Sequence, residues 1–184
     1  YIALNISCPN TSEGKTFEDP NSLDDLLRAI MRERSQMTRK VPILIKMSPP
    51  SQSKFVLDSF YDEMILVSLA HGISGFIASN TASDRDGLIT SPERIAAIGK
   101  GGLSGRPICS RANGLVSYLY RKTEGNVPII GVGGISSAED AYERIKAGAS
   151  LIQLYTGLVY QGPGLIRSVK KGLVRLMEED GHSS

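Results

Sequence analysis

Apolar residues gather along this chain in five short runs, each followed by a stretch with helical spacing. Residues 1–6 are apolar and partly β-branched and stop at the turn cluster Ser7-Cys8-Pro9-Asn10. Residues 42–47, 75–78, 127–132 and 151–154 repeat the pattern. They stop at Pro49-Pro50, Ser79-Asn80-Thr81, Gly133-Gly134 and Tyr155-Thr156. Within residues 21–34, Leu23, Leu26, Leu27 and Ile30 fall at i, i+3, i+4 and i+7, the spacing of an amphipathic helix that Pro20 or Asn21 begins. Residues 54–71 read as a helix closed by Gly72, and another runs through 118–122 to stop near Gly125. Ser136 and Glu139 form a capping-box pattern that opens a helix ending at Gly148. A last helix is predicted over 165–179, with Leu165, Val169, Leu173 and Leu176 inward.

Continuous apolar strands alternating with helices predict a parallel sheet covered on both faces. Polar or glycine residues collect where each strand ends: Asn5, Lys46, Asn80, Gly133 and Thr156. In a (β/α)8 TIM barrel that rim carries the chemistry. A doubly wound open sheet has the same alternation, but the glycine-rich dinucleotide turn after its first strand is missing here. The α/β class therefore resolves to a barrel. A complete one needs about 250 residues and eight strands. Five strands in 184 residues, beginning inside a strand without an initiator Met, predict that residues 1–184 are the C-terminal part of a single barrel domain whose upstream strands lie elsewhere.

Composition changes this picture little. The 41% apolar and 22% charged content is ordinary for a globular domain, and the net charge of +2 leaves no basic stripe for nucleic acid. No apolar run approaches the ~20 residues that cross a bilayer. Cys8 and Cys109 form no disulfide scaffold and no metal-ligand pattern, and read as free thiols. His71 and His182 have no cluster around them.

Three stretches carry candidate chemistry. In Asn5-Ile6-Ser7-Cys8-Pro9-Asn10-Thr11, two asparagines bracket a thiol on a strand-end loop. Asn both donates and accepts, which suits an amide-rich planar ligand, and a thiol with modestly lowered pKa can accept a proton. The same cysteine could equally be an inert turn residue. Lys46 interrupts an apolar strand, so it points into the barrel and wants an anion, unless it sits on a solvent-facing edge. Gly133-Gly134, with Tyr155-Thr156 one unit later, let backbone N–H groups approach a phosphate, or serve only as turn glycines. Gly101–Gly105 is a flexible loop. Asp84-Arg85-Asp86 and Glu178-Glu179-Asp180 read as solvated charge, and Cys109, Tyr118 and Tyr120 as packing. Phe55, Phe60, Met64 and Leu66 read as apolar residues packed on the barrel.

Taken together, Asn-Ile-Ser-Cys-Pro-Asn-Thr, Ile-Leu-Ile-Lys-Met-Ser-Pro, Ser-Asn-Thr, Gly-Gly-Leu-Ser-Gly-Arg-Pro, Ile-Ile-Gly-Val-Gly-Gly-Ile and Ala-Gly-Ala-Ser-Leu-Ile-Gln-Leu-Tyr-Thr resemble, in order, the dihydroorotate dehydrogenase family. The resemblance covers nearly the whole chain. It implies FMN as cofactor, contacted by Asn5, Lys46, Ser79, Gly105, Val132, Gly133, Gly134, Tyr155 and Thr156. Dihydroorotate would be held by Asn5, Asn10, Asn80 and Thr81. Cys8 would take the C5 proton while hydride leaves C6, and Lys46 would stabilise the anionic reduced flavin.

The ending Ser-Leu-Ile-Gln-Leu-Tyr-Thr followed by Gly162-Pro163 is similar to the quinone-reducing class 2 enzymes of pyrimidine biosynthesis. These are peripheral to a bacterial or mitochondrial inner membrane through an N-terminal segment absent from this chain. Their base is usually Ser, whereas Cys8 matches the cytoplasmic class 1, which uses fumarate or NAD. The longer tail match favours class 2 with a substituted base. A flavin-free barrel enzyme taking a phosphorylated substrate is the reading from another class. The isolated piece is expected to bind FMN poorly and to be inactive.

Overall fold

The computed structural model describes residues 1–7, 17–51 and 59–182. Five strands, β1 (Ile2–Asn5), β2 (Ile43–Met47), β3 (Gly75–Ala78), β4 (Ile129–Val132) and β5 (Leu151–Gln153), form one parallel sheet in the order β1-β2-β3-β4-β5. Chain order equals spatial order, with a helical crossover in every connection. A doubly wound sheet would reverse that order at its switch point, so the molecule is an arc of a (β/α)8 barrel. The arc is curled: Gln153 at the end of β5 donates to the Tyr1 hydroxyl, just before β1, at 2.9 Å across the concave face.

Strand alternation sorts the side chains into two layers. Leu44, Ile77 and Ile130 meet on the concave face, with Val132 packed beside them. Ile45, Met47, Phe76, Ala78 and Ile129 face outward onto α1 (Pro20–Gln36), α2 (Ser59–Ala70) and a helix after β3, here numbered α4 (Cys109–Lys122). Burying each such large side chain contributes roughly 1.5–3 kcal/mol before entropy is charged.

The helices begin and end for local reasons. Asp19 caps α1 by accepting from the Ser22 N–H at 2.9 Å, and Pro20 occupies the first turn, where its missing N–H costs nothing. Hydrogen bonding to the Ser22 side chain, and then to its N–H, holds the Asp19 carboxyl below its usual range. Leu23 and Leu27 of α1 are fully buried. In α2, Tyr61, Met64 and Ile65 face the core, but Phe60 is 37% and Leu66 65% exposed. Packing of Leu66 on the barrel is therefore corrected: it lies nearly opposite Met64 round the helix. Phe60 is partly exposed but meets Tyr61 edge-on at 5.3 Å, and Phe55 lies outside the described residues.

A short helix, α3 (Pro92–Ile98), and a 3₁₀ turn (Arg106–Ile108) lie between β3 and α4. The loop around them is folded back by mutual Ala82–Leu103 hydrogen bonds of 2.9 and 2.8 Å. After β4, α5 (Ala138–Lys146) is capped by Ser137, whose hydroxyl accepts from the Asp140 N–H at 3.1 Å. The predicted capping box was one residue early. Ser136 instead donates through both N–H and Oγ to Asp140, each at 2.9 Å. A short α6 (Thr156–Gln161) leads into α7 (Gly164–Glu179), where Leu165 and Val169 are buried against α5 and Leu173 and Leu176 are half-buried.

The charged triplet at residues 84–86 is not simply solvated. Asp84 pairs at 2.7 Å with Arg111 of α4, a fully buried side chain that also donates to the Pro50 carbonyl at 3.3 Å. Tyr118 is buried as expected from packing, whereas Tyr120 is 47% exposed. His71 pairs with Asp24 at 2.7 Å. Among the described residues, no helix is long and apolar enough to cross a membrane.

Candidate active site

The C-terminal ends of β2, β3, β4 and β5 converge on a cavity of about 460 Å³. Lys46, Ser79, Asn80, Thr81, Gly105, Val132, Gly133, Gly134, Tyr155 and Thr156 all line it. These residues come from four strand ends and the loop before α4, and only the parallel arc brings them together. Asn5 ends β1 and joins the cavity indirectly, through Asn80. Cys8 and Asn10 lie outside the described residues. A second cavity, of about 570 Å³, shares Gly105, Gly134 and Thr156 with the first and runs beneath the 85–107 loop.

Lys46 is placed by the period-2 alternation of β2. Ile43, Ile45 and Met47 point to the helices, so Leu44 and Lys46 point inward. The ammonium is half-buried, and burial pushes its pKa below the ordinary lysine value. Among the described residues no carboxylate pairs with it. A cation withdrawn from water without an acid partner is a ready-made site for an anion.

The amide network is set by Asn80. Its NH2 group donates to Asn5 Oδ1 at 2.9 Å and to Ser7 Oγ at 2.6 Å, while its own oxygen accepts from the Thr81 N–H at 2.9 Å. Ser7 Oγ donates in turn to Asn5 Oδ1 at 3.4 Å. With its oxygen engaged twice, Asn5 is left to present its NH2 group, a donor for a carbonyl or carboxylate. Ser7 is buried and borders a third cavity, of about 540 Å³, that Thr81, Arg85 and Lys100 also line. The reading from sequence passed over Ser7, although its place between Asn5 and Cys8 is the signal that marks it.

The glycine turn follows β4. Gly133 and Gly134 have φ of +109° and +76°, values that favour residues without a side chain. A Cβ on Gly134 would lie 2.5 Å from Cys109 Cβ and 2.7 Å from its Cα, so the turn is pressed against the start of α4. Thr156, the first residue of α6, lines the same cavity as the turn and donates to Ser104 Oγ at 2.9 Å. Ser79 is buried, and its N–H donates to Val132 O at 2.9 Å, tying the β3 and β4 ends together. Ser104 and Gln153 also line the cavity, beyond the residues the sequence pointed to. Gly102 leans on Thr81, where any side chain would collide. Among the described residues no group of three or more His, Cys, Asp or Glu side chains could hold a metal ion.

The dihydroorotate dehydrogenase family model matches residues 1–177. A protein of Roseiflexus castenholzii named dihydroorotate dehydrogenase (quinone) is 42% identical over 184 residues, covering 100% of this chain and 48% of its own length. Its namesake in Deinococcus radiodurans is also 42% identical, covering 98% of this chain and 47% of its own. The chain thus spans about half the length of the curated relatives it matches. Among solved structures, the ligand-free type DHODH of Eimeria tenella superposes with a TM-score of 0.87 at 31% identity, over 100% of this chain and 53% of that one. The same organism's DHODH in complex with ferulenol gives 0.81 at 30% identity, over 98% and 50%.

Proposed function

This chain belongs to the dihydroorotate dehydrogenase family, and from that membership we propose that its rim cavity is the FMN site of an enzyme oxidising dihydroorotate to orotate. One observation carries the reading: a half-buried lysine, without an acid partner among the described residues, shares a cavity with a left-handed glycine turn. The donor set fits FMN. The Gly133–Gly134 backbone, with the Thr156 and Ser104 hydroxyls, suits the phosphate; Lys46 suits the polar edge of an isoalloxazine ring. Ser79, Gly105, Val132 and Tyr155 line the space between. When bound, FMN supplies the acceptor for the hydride that leaves C6 of dihydroorotate.

The protein's own part is positioning and electrostatics. Lys46 sets a positive charge on the inner wall, where electron transfer brings negative charge, and partial burial strengthens its effect. Asn5, Asn80 and Thr81, joined by Asn10, hold the pyrimidine amides and the carboxylate. The Asn80 hydrogen bonds to Asn5 and Ser7 fix those amides before substrate arrives, which lowers the entropic cost of orientation. Cys8 follows Ser7 directly and takes the C5 proton on its thiolate sulfur.

Quinone is the proposed acceptor, within pyrimidine biosynthesis, and with it peripheral contact to a membrane. The relatives named as quinone-type at about 40% identity support this choice. The decisive experiment uses the full-length protein. It should purify with flavin absorbance and reduce a soluble quinone in the presence of dihydroorotate, faster than it reduces fumarate or NAD. Absence of flavin would refute the site; fumarate or NAD as the sole acceptor would refute the quinone assignment. Cys8→Ser should lower kcat and move its pH profile alkaline, because an alcohol ionises less readily than a thiol. An unchanged kcat with an unshifted profile would remove Cys8 as the base.

A further inference from the structure

Behind the glycine turn, on the convex side of the sheet, lies a charge that the chemistry above does not use. Arg144 of α5 is completely buried. Its stem crosses Gly131 of β4, where a Cβ would sit 2.7 Å from Arg144 Cδ, so β4 carries glycine at that point to let the side chain through. At the far end, Nη2 donates to the Gly133 carbonyl at 2.7 Å and, more weakly, to the Cys109 carbonyl at 3.4 Å. Nε donates to Asn113 Oδ1 of α4. Nη1 is buried with no partner among the described residues.

No carboxylate forms a salt bridge with this guanidinium among the described residues. A buried arginine in that condition is costly, and a Met or Leu of similar volume would pack there without the desolvation. The retained charge points to a role at the turn it grips. In a trans peptide the C=O and N–H lie on opposite sides. With the Gly133 carbonyl drawn toward Arg144, the N–H of Gly134 is turned the other way, to the cavity that Gly134 lines. No acceptor for that N–H is present among the described residues. Asn113 holds the guanidinium plane from α4, and Cys109 packs on Gly134 from the same helix, so α4 and α5 clamp the turn from two sides.

We propose that Arg144 is a positioning residue of the anion site: it fixes the Gly133–Gly134 peptide with its N–H toward the cavity and places positive charge behind it. The inference rests on the reading of that cavity as the site of a phosphorylated flavin. Burial also lowers the Arg144 pKa, against the pull of Cys109 and Asp140, so the charge is held at some cost to the fold.

The test compares two ligands that differ only by phosphate. FMN and riboflavin are titrated into flavin-stripped full-length protein, with affinity read from quenching of flavin fluorescence. Arg144→Met should weaken FMN about tenfold or more, the scale of one charge-assisted hydrogen bond, and leave riboflavin within about twofold. Arg144→Lys should recover part of the loss and shift the phosphorus resonance of bound FMN, with the flavin absorbance bands unmoved. Asn113→Ala, which releases the guanidinium without removing it, should fall between wild type and Arg144→Met. If Arg144→Met does not fold, Arg144→Lys and Asn113→Ala decide the matter on the same two ligands. Equal losses for FMN and riboflavin, or no loss for either, would overturn the role of Arg144 while leaving the flavin site standing. A wild-type protein that binds neither flavin would overturn the flavin reading itself, and the inference with it.

Discussion

Gly134→Ala is the sharpest perturbation of the site, because two separable penalties meet at one methyl group. Gly134 has φ of +76°, where an L side chain costs about 1–2 kcal/mol. The new Cβ would also fall 2.5 Å from Cys109 Cβ, 2.7 Å from its Cα and 2.9 Å from its N. Two of those three atoms are backbone at the start of α4, so no rotamer change relieves the clash, and overpacking of this kind costs about 1–3 kcal/mol. The total is about 2–5 kcal/mol, against the 5–15 kcal/mol typical of a whole domain. Gly72→Ala, at the left-handed cap that ends α2, is the control. Its φ is +68°, yet nothing lies within 4 Å of a Cβ there, so it carries only the backbone penalty.

The assay is urea unfolding of flavin-stripped full-length protein, followed by far-UV circular dichroism, with midpoints compared at constant slope. Gly72→Ala should lose about 1–2 kcal/mol for its backbone alone. Gly134→Ala should lose at least about 1 kcal/mol beyond that, from overpacking. Gly134→Ala should also weaken FMN, because the turn can escape Cys109 only by moving into the cavity. If the two variants unfold at the same midpoint, the turn is not pressed against α4, and the support described for the site is wrong.

Three further outcomes follow from the same structure. Lys46→Met should bind FMN about ten- to a hundredfold more weakly, the range of one interaction with a charged group, yet be no less stable without flavin, since an ammonium with no carboxylate partner among the described residues gives way to an apolar chain; undiminished FMN affinity by calorimetry would dismiss Lys46 as the anion's partner. Asn80→Asp sets a carboxylate against Asn5 Oδ1 and an anionic substrate, and should weaken orotate at least about tenfold while sparing FMN; parallel losses of both ligands would show that the two subsites are not separate. Hydrogen bonds from Lys122 and Tyr118 hold the Asp62 carboxyl below its usual range, a contribution present above the unfolded value near 3.9 and lost as pH falls through the lowered folded one. Asp62→Asn should therefore be less stable than wild type at neutral pH and converge on it in acid, and a gap in urea midpoint that does not narrow as pH falls through the carboxylate range would contradict the pairing.

Lys46 and Arg144 show what a linear reading reaches and what it misses. Both are cations withdrawn from water near the same turn, one on each side of the sheet. Lys46 was legible because alternation along a strand fixes which face a residue takes, and a lysine between inward Leu44 and the rim has only one place to go. Arg144 stands in the charged helix Ala-Glu-Asp-Ala-Tyr-Glu-Arg-Ile-Lys, where an arginine reads as solvated. Nothing local distinguishes it. Its burial depends on Gly131 leaving a gap in β4 and on α4 supplying Asn113, facts from two other elements. Asp84 was misread in the same way, because its partner Arg111 lies 27 residues on. The Ser91 cap and Pro92 of α3 were a local signal, missed because seven residues show too little periodicity. Strand ends therefore announce the groups that touch a ligand, since the fold sends every one of them to the same rim. The groups that hold those in place come from the backs of the crossovers, where sequence order and spatial order part. For this site the second set is as informative as the first: the glycines say that an anion can approach, and the buried guanidinium behind them says which way the turn must face.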